Sequence, residues 1–251
     1  MSSKHPHISG ISIMHYAKLA GRSCLFLMAA YLYITQWRFV DGAPFDGNEF
    51  GNLFLAFIWV LFIGEMFLRF FPSNMESPGC QKQFAKNYIP KKDDISDFKL
   101  DTWKSTFAVA LAWFALNGTI GYLYLTGVLI DAGIMLLISL AYSVCDMICI
   151  LFFCPFQSWF MRNRCCTTCR IYNWDFAMMF TPFVFIPGKY TWSLLGVSLC
   201  LLGVWEFLVH THPERFSVET NACLNCIHCD EKLCMHKKQL KSLWKRIKPK
   251  F

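Results

Sequence analysis

Seven cysteines fall into two short segments of the chain, Cys165, Cys166 and Cys169 in one and Cys223, Cys226, Cys229 and Cys234 in the other. Two residues between thiolates let a tight turn aim both sulfurs at one ion, and thiolates suit the soft demands of zinc and of iron–sulfur clusters. A reducing cytoplasm disfavours disulfides, so this spacing in two separate segments points to metal ligation or redox chemistry. A closed zinc site needs four ligands, for instance Cys166, Cys169, Cys223 and Cys226, and leaves three cysteines and His228 over. Juxtamembrane cysteines are also targets for palmitoylation. Cys24, Cys145, Cys149 and Cys200 lie within apolar runs and read as small packing residues.

Three acids form a second group with chemical potential. Glu65, Asp146 and Glu206 each fall inside an apolar run, where an ionised carboxylate costs several kcal/mol unless it finds a partner, water or a raised pKa. Glu65 has Arg69 one helical turn on and Glu206 has His210 at the same spacing, so local pairing is the expectation for both. Asp146 has no such neighbour and is the best single candidate for a proton-linked or substrate-binding acid. The three together define an alternative function, an intramembrane enzyme that uses them as acid and base groups. His15, His210 and His212 read as interfacial polar residues, since histidines two apart do not share a helical face.

The elements that must position these groups are membrane helices. Of 251 residues 55% are hydrophobic, 25 are phenylalanine and only 16% are charged, whereas soluble domains run near a quarter charged. Apolar runs at 19–36, 51–71, 105–126, 130–154, 173–186 and 191–210 approach the roughly 20 residues that a hydrocarbon layer requires. The expected fold is therefore all-α, a polytopic membrane protein of six transmembrane helices over 1–211, followed by a Cys-rich tail over 212–251. The fifth run is the shortest and contains Pro182, with Pro187 and Gly188 turning the chain back, so a tilted crossing or a re-entrant hairpin both fit. Asn173, Trp174 and Asp175 read as its interfacial and capping start. Residues 1–12 are polar and no small-residue cleavage site follows, so the first helix is expected to be retained.

Orientation follows from the basic residues. With the N-terminus inside, only Arg38 and Lys189 of the 24 Lys and Arg residues lie outside, which satisfies the positive-inside rule. Both termini and both cysteine segments are then cytoplasmic in a multi-pass cell-membrane protein. The net charge of +7 reads as a topology signal and an affinity for anionic lipid at the inner leaflet rather than as a nucleic-acid footprint. Loop 72–104 reads as a solvated linker or short interfacial helix, and 237–248 as a basic amphipathic helix on the inner leaflet. No Walker loop, dinucleotide fingerprint, H-E-x-x-H or G-x-S-x-G motif is present.

The run Cys223-Leu-Asn-Cys226-Ile-His-Cys229-Asp-Glu-Lys-Leu-Cys234 resembles the C-x2-C-x2-C opening of a ferredoxin motif, with four residues instead of three before the last cysteine. Cys149-Ile-Leu-Phe-Phe-Cys154-Pro155-Phe156 is similar to the C-x3-C-P-x-G element of polyferredoxin-type membrane electron-transfer proteins. That resemblance implies cytoplasmic four-iron clusters passing electrons to or from a quinone or a redox partner protein. Zinc ligation, with the thiolates tying the tail to the loop between the fourth and fifth runs of a transporter or scaffold, remains the alternative reading of the same cysteines.

Overall fold

The computed structural model describes residues 10–35, 49–72, 81–91, 98–100, 102–129, 131–162 and 169–225. Long helices are α1 (Gly10–Thr35), α2 (Glu49–Leu68), α3 (Trp103–Leu125), α4 (Ala132–Leu151) and α6 (Lys189–Thr211), with a short α5 (Asp175–Met179) before the last. No β-strand occurs among the described residues, which carry one isolated bridge between Pro90 and Asn221. Four of the helices, Ile13–Thr35 within α1, α3, α4 and α6, are 20 to 23 residues long and apolar enough to cross a membrane. At a rise of about 1.5 Å per residue this suffices for a hydrocarbon layer of about 30 Å. In α2, Leu53–Leu68 is apolar but shorter.

The outer surface is that of a protein solvated by lipid. Leu27 and Tyr31 of α1, Leu53 and Phe57 of α2, Phe114 of α3 and Phe207 of α6 are all exposed, on a scale that a monomer in water does not sustain. Inside, α1 packs along α4 and α2 along α6, and the core holds Phe62, Met66, Met135, Phe180, Leu201 and Trp205. Asp131 starts α4 by accepting the Gly133 N–H at 3.0 Å, the usual use of a carboxylate at a helix N-terminus.

The fifth run differs from a continuous span. It is a chain of short turns: a 3-10 turn at Arg170–Trp174, α5, and a second 3-10 turn at Thr181–Phe185. Pro182 lacks an N–H, so a regular helix cannot run through it without leaving a carbonyl unpaired. Irregular backbone at membrane depth persists only where protein surrounds it, and Phe176, Met179, Phe180, Pro182 and Phe183 are all buried. Neighbouring side chains supply the missing partners. Ser139 Oγ donates to the Met179 carbonyl at 2.8 Å, Thr181 Oγ1 to the Ala177 carbonyl at 2.8 Å, and Trp113 Nε1 to Thr181 Oγ1 at 3.0 Å. Along its length the segment meets Gln83 at Asn173, Arg69 at Asp175, Phe62 at Phe180 and Gly121 at Phe185.

Within loop 72–104, the described stretch 81–91 is more than a linker. Gln81 and Gln83 are buried, and the stretch 81–91 receives the chain that follows α6. Ala222 N donates to Ile89 O at 2.8 Å, Lys91 N to Thr220 O at 2.9 Å, and the fully buried Asn221 donates through Nδ2 to Lys82 O and Arg215 O, both at 3.0 Å. Phe84 and Phe216 close on Trp205 from two sides. The amphipathic segment 237–248 lies outside the described residues.

Gly121 of α3 tests this packing. A Cβ there would stand 2.1 Å from the Phe185 ring, whereas one at Gly118 meets nothing within 4 Å. Gly121→Val should therefore lower the thermal midpoint in detergent by an amount corresponding to about 1–3 kcal/mol of overpacking, and Gly118→Ala should leave it unchanged or raise it.

Candidate functional site: buried ion pairs and thiols at one end of the bundle

Arg22, two turns into the apolar part of α1, is buried at 3% exposure. A guanidinium in such surroundings must be paired and hydrogen-bonded. Nη2 donates to Glu65 Oε2 of α2 at 2.7 Å, and Nη1 donates to Asp146 Oδ2 at 2.9 Å and to the Ser143 carbonyl at 3.1 Å, both on α4. Lys18, one turn before Arg22, stands 3.5 Å from Glu65 Oε1. Arg22 also lies over the Phe62 ring, 5.6 Å from its centroid. Three helices are thus joined at one cation.

A second arginine extends the cluster. Arg69, just past α2, donates from Nη1 to Asp175 Oδ1 at 2.7 Å, and its Nη2 lies 2.7 Å from Oδ2, a charge-assisted contact stronger than a neutral hydrogen bond. Its guanidinium lies 4.7 Å from the Phe176 ring and 5.7 Å from that of Tyr172. Lys18, Arg22 and Arg69 face Glu65, Asp146 and Asp175, so the cluster holds three cations and three carboxylates and is neutral. The third acid, Glu206 of α6, is engaged by Arg170 through a double contact and by Trp174 Nε1 at 2.7 Å.

Each predicted acid therefore has a partner, but not the one that helical spacing suggested. Glu65 is held from α1, while Arg69 commits both Nη atoms to Asp175. Glu206 is bound by the segment that begins at Arg170, and His210 is exposed. Asp146, expected to be without a neighbour, is paired with Arg22. Asp175 is a salt-bridge residue and not only a helix start. Arg22, Asp175 and Arg170 were not singled out by sequence reasoning as members of a charge network. The signal was present in Arg22, because a basic residue inside an apolar run demands a partner as strongly as an acid does.

A cavity of about 130 Å³ opens on the α4 side of this network, with Asp146 and Asp175 in its wall. Trp113, Tyr142, Phe156 and Tyr172 line it, together with four cysteines: Cys145, Cys149, Cys154 and Cys169. Cys149 and Cys154 stand close enough to interact with each other. Cys145 and Cys149 thus border a cavity instead of filling a packed interior, and Cys145, like Cys24 and Cys200, is exposed.

Of the seven cysteines in the two segments, Cys169 and Cys223 are described; Cys165, Cys166, Cys226, Cys229 and Cys234 lie outside the described residues. Cys169 is buried beside Val109, Met161 and Ile171 and immediately precedes Arg170, the partner of Glu206. Cys223 follows the segment docked on 81–91, and its Sγ donates to the Asn87 carbonyl at 2.9 Å. Asn173 Nδ2 bonds Gln83 Oε1 at 2.9 Å, so 81–91 contacts both the start of the broken segment and the chain after α6. Cys169 and Cys223 accordingly stand at the same end of the bundle. Among the described residues, no three His, Cys, Asp or Glu side chains gather as they would around a metal ion.

Removing the cation at the centre of the cluster has a definite expected cost. Arg22→Met leaves Glu65 and Asp146 facing each other without their shared partner and should destabilise the bundle by about 3–5 kcal/mol, read as a fall in the thermal midpoint in detergent. The triple variant Arg22→Met, Glu65→Gln, Asp146→Asn should recover part of that loss, because the two carboxylates no longer face each other as unshielded charges, although Lys18 loses Glu65 as its partner. No family model, no curated protein and no solved structure matches the chain.

Proposed function

We propose that this chain is a membrane redox protein: six crossings with both termini in the cytoplasm, an iron–sulfur centre on the cysteines of its inner face, and a quinone or a redox partner protein as the other electron carrier. The observation that carries the reading is convergence. Cys169 and Cys223, one from each cysteine segment, stand at the end of the bundle where 81–91, the start of the broken segment and the chain after α6 are bonded together. Five further cysteines follow or precede these two within eleven residues, more than a single closed zinc site takes up. Cys169 also borders the cavity, which gives a centre built on it a short path to a small molecule held there.

The orientation is supported by the distribution of Lys and Arg. The broken fifth segment supports six crossings, since its contacts run from Arg69 and Gln83 at one end of the bundle to Gly121 near the far end of α3. In this reading Glu65, Asp146 and Glu206 are counter-ions that hold buried arginines and fix the helices around the cavity. An acid–base role would require them to shed those partners during turnover.

Zinc is the second reading, and one observation favours it. The chain after α6 is already fastened to 81–91 by backbone, Asn221 and Cys223 hydrogen bonds, the arrangement that a structural metal would reinforce. Anaerobic purification of the full chain with a visible spectrum and elemental analysis separates the two. The expected result is a brown protein containing iron and acid-labile sulfide, both lowered severalfold by Cys226→Ser or Cys229→Ser. A colourless protein with zinc near one per chain would support the staple, and absence of both metals would overturn the metal site altogether.

A further inference from the structure

Cys149 and Cys154 form a second sulfur site, distinct from the two cysteine segments of the inner face. Helix α4 ends at Leu151, and the next two residues turn the chain by donating both N–H groups, Phe152 at 2.8 Å and Phe153 at 3.2 Å, to the Ile148 carbonyl. That turn brings the fifth residue after Cys149 back beside it, so the two thiols interact with each other and both line the cavity. The backbone then enters a short π-helical turn, Phe156–Phe160, and the Gln157 N–H donates to Cys154 Sγ at 3.4 Å. The Cys154 sulfur thus has a polar backbone partner at the cavity wall.

The cavity has the size and lining for a single flat ring. Its volume of about 130 Å³ compares with the engineered apolar cavity of about 150 Å³ that binds benzene. Trp113, Tyr142, Phe156 and Tyr172 offer it ring faces and edges, which aromatic ligands pack against favourably. Two thiols surrender two electrons and two protons, and a quinone is the lipid-soluble acceptor that takes up both.

We infer that Cys149 and Cys154 are a reversible dithiol–disulfide couple oxidised by the ring of a quinone seated in this cavity. The inference deepens the proposed exchange of electrons with a quinone but does not rest on the metal centre. In the forward step Cys154 sulfur, its proton released, adds to a ring carbon of the quinone and forms a carbon–sulfur bond. Cys149 sulfur, deprotonated in turn, attacks Cys154 sulfur; the sulfur–sulfur bond forms, the carbon–sulfur bond breaks, and its electron pair remains on the ring. The two thiol protons end on the two ring oxygens. Two thiols and one quinone become one disulfide and one hydroquinone.

The test uses the full chain, reduced and freed of reductant in detergent, with iron and zinc content measured on the same sample so that the metal reading is judged separately. It is mixed with a 1,4-benzoquinone bearing a decyl chain. Hydroquinone is followed by absorbance, and thiol state by differential alkylation and mass spectrometry of chymotryptic peptides. The expected result is one hydroquinone per chain and a new Cys149–Cys154 disulfide, with Cys149→Ser and Cys154→Ser each lowering the rate at least tenfold and Cys200→Ser leaving it unchanged. Thermal midpoints of the serine variants within a few degrees of the parent identify them as folded; where either falls further, filling the cavity with Cys145→Phe in the intact dithiol protein replaces it and should slow the reaction at least tenfold. Thiols that stay alkylatable after quinone treatment would overturn the inference, as would equal hydroquinone formation by the folded serine variants. Oxidation of the pair by small disulfides but not by the quinone would overturn it as well.

Discussion

A guanidinium buried among membrane helices is the constraint from which the rest of this architecture follows. Arg22 cannot remain charged in hydrocarbon without partners, and the two carboxylates that satisfy it come from α2 and α4. Those bonds fix the rotation of α1 about its axis and the depth of three helices relative to one another. Through Arg69 and Asp175 the same cluster reaches the broken segment, and through Arg170 and Glu206 a separate pair secures that segment to α6. Apolar packing alone does not impose such a register, because lipid tails and leucine side chains offer one another equivalent surroundings.

The broken segment in turn makes the cavity. A regular helix through 170–186 would pack against α4 along its length; the short turns instead leave a space walled by α3, α4 and the residues from Cys169 to Met179. The energetic cost of interrupting the helix is offset by Ser139 and Thr181, which bond the Met179 and Ala177 carbonyls, and Trp113 in turn holds the Thr181 hydroxyl. Thiols and carboxylates then share one enclosure, with neutralised charge on one side and sulfur on the other.

Much of the helix content was legible in the sequence, because apolar runs of spanning length and intramembrane acids carry their meaning locally. The apolar runs 19–36, 105–126, 130–154 and 191–210 correspond to helices, although α1 begins nine residues before its run. The partners of those acids were not legible. Glu65 and Asp146 meet Arg22 across 43 and 124 residues, and no periodicity encodes which of several buried charges will share a site. Pro182 marked the fifth run as irregular, but the turns it adopts depend on side chains from two other helices. Cys149 and Cys154 were visible as a spacing; their facing a common cavity depends on how α4 ends, which is a property of the turn at Phe152 and Phe153 and not of the cysteines. The role of 81–91 as the seat for the chain after α6 was hidden for the same reason, since its hydrogen bonds are to backbone 130 residues away.

The account stands on sulfur chemistry at one end of a charge-locked bundle. X-ray absorption at the iron and zinc edges of the anaerobically purified full chain addresses that most directly, because it reports the atoms around a metal without requiring an assay. The account predicts iron with a first shell made of sulfur. A first shell of nitrogen and oxygen, or the absence of iron and zinc from the protein, would contradict it.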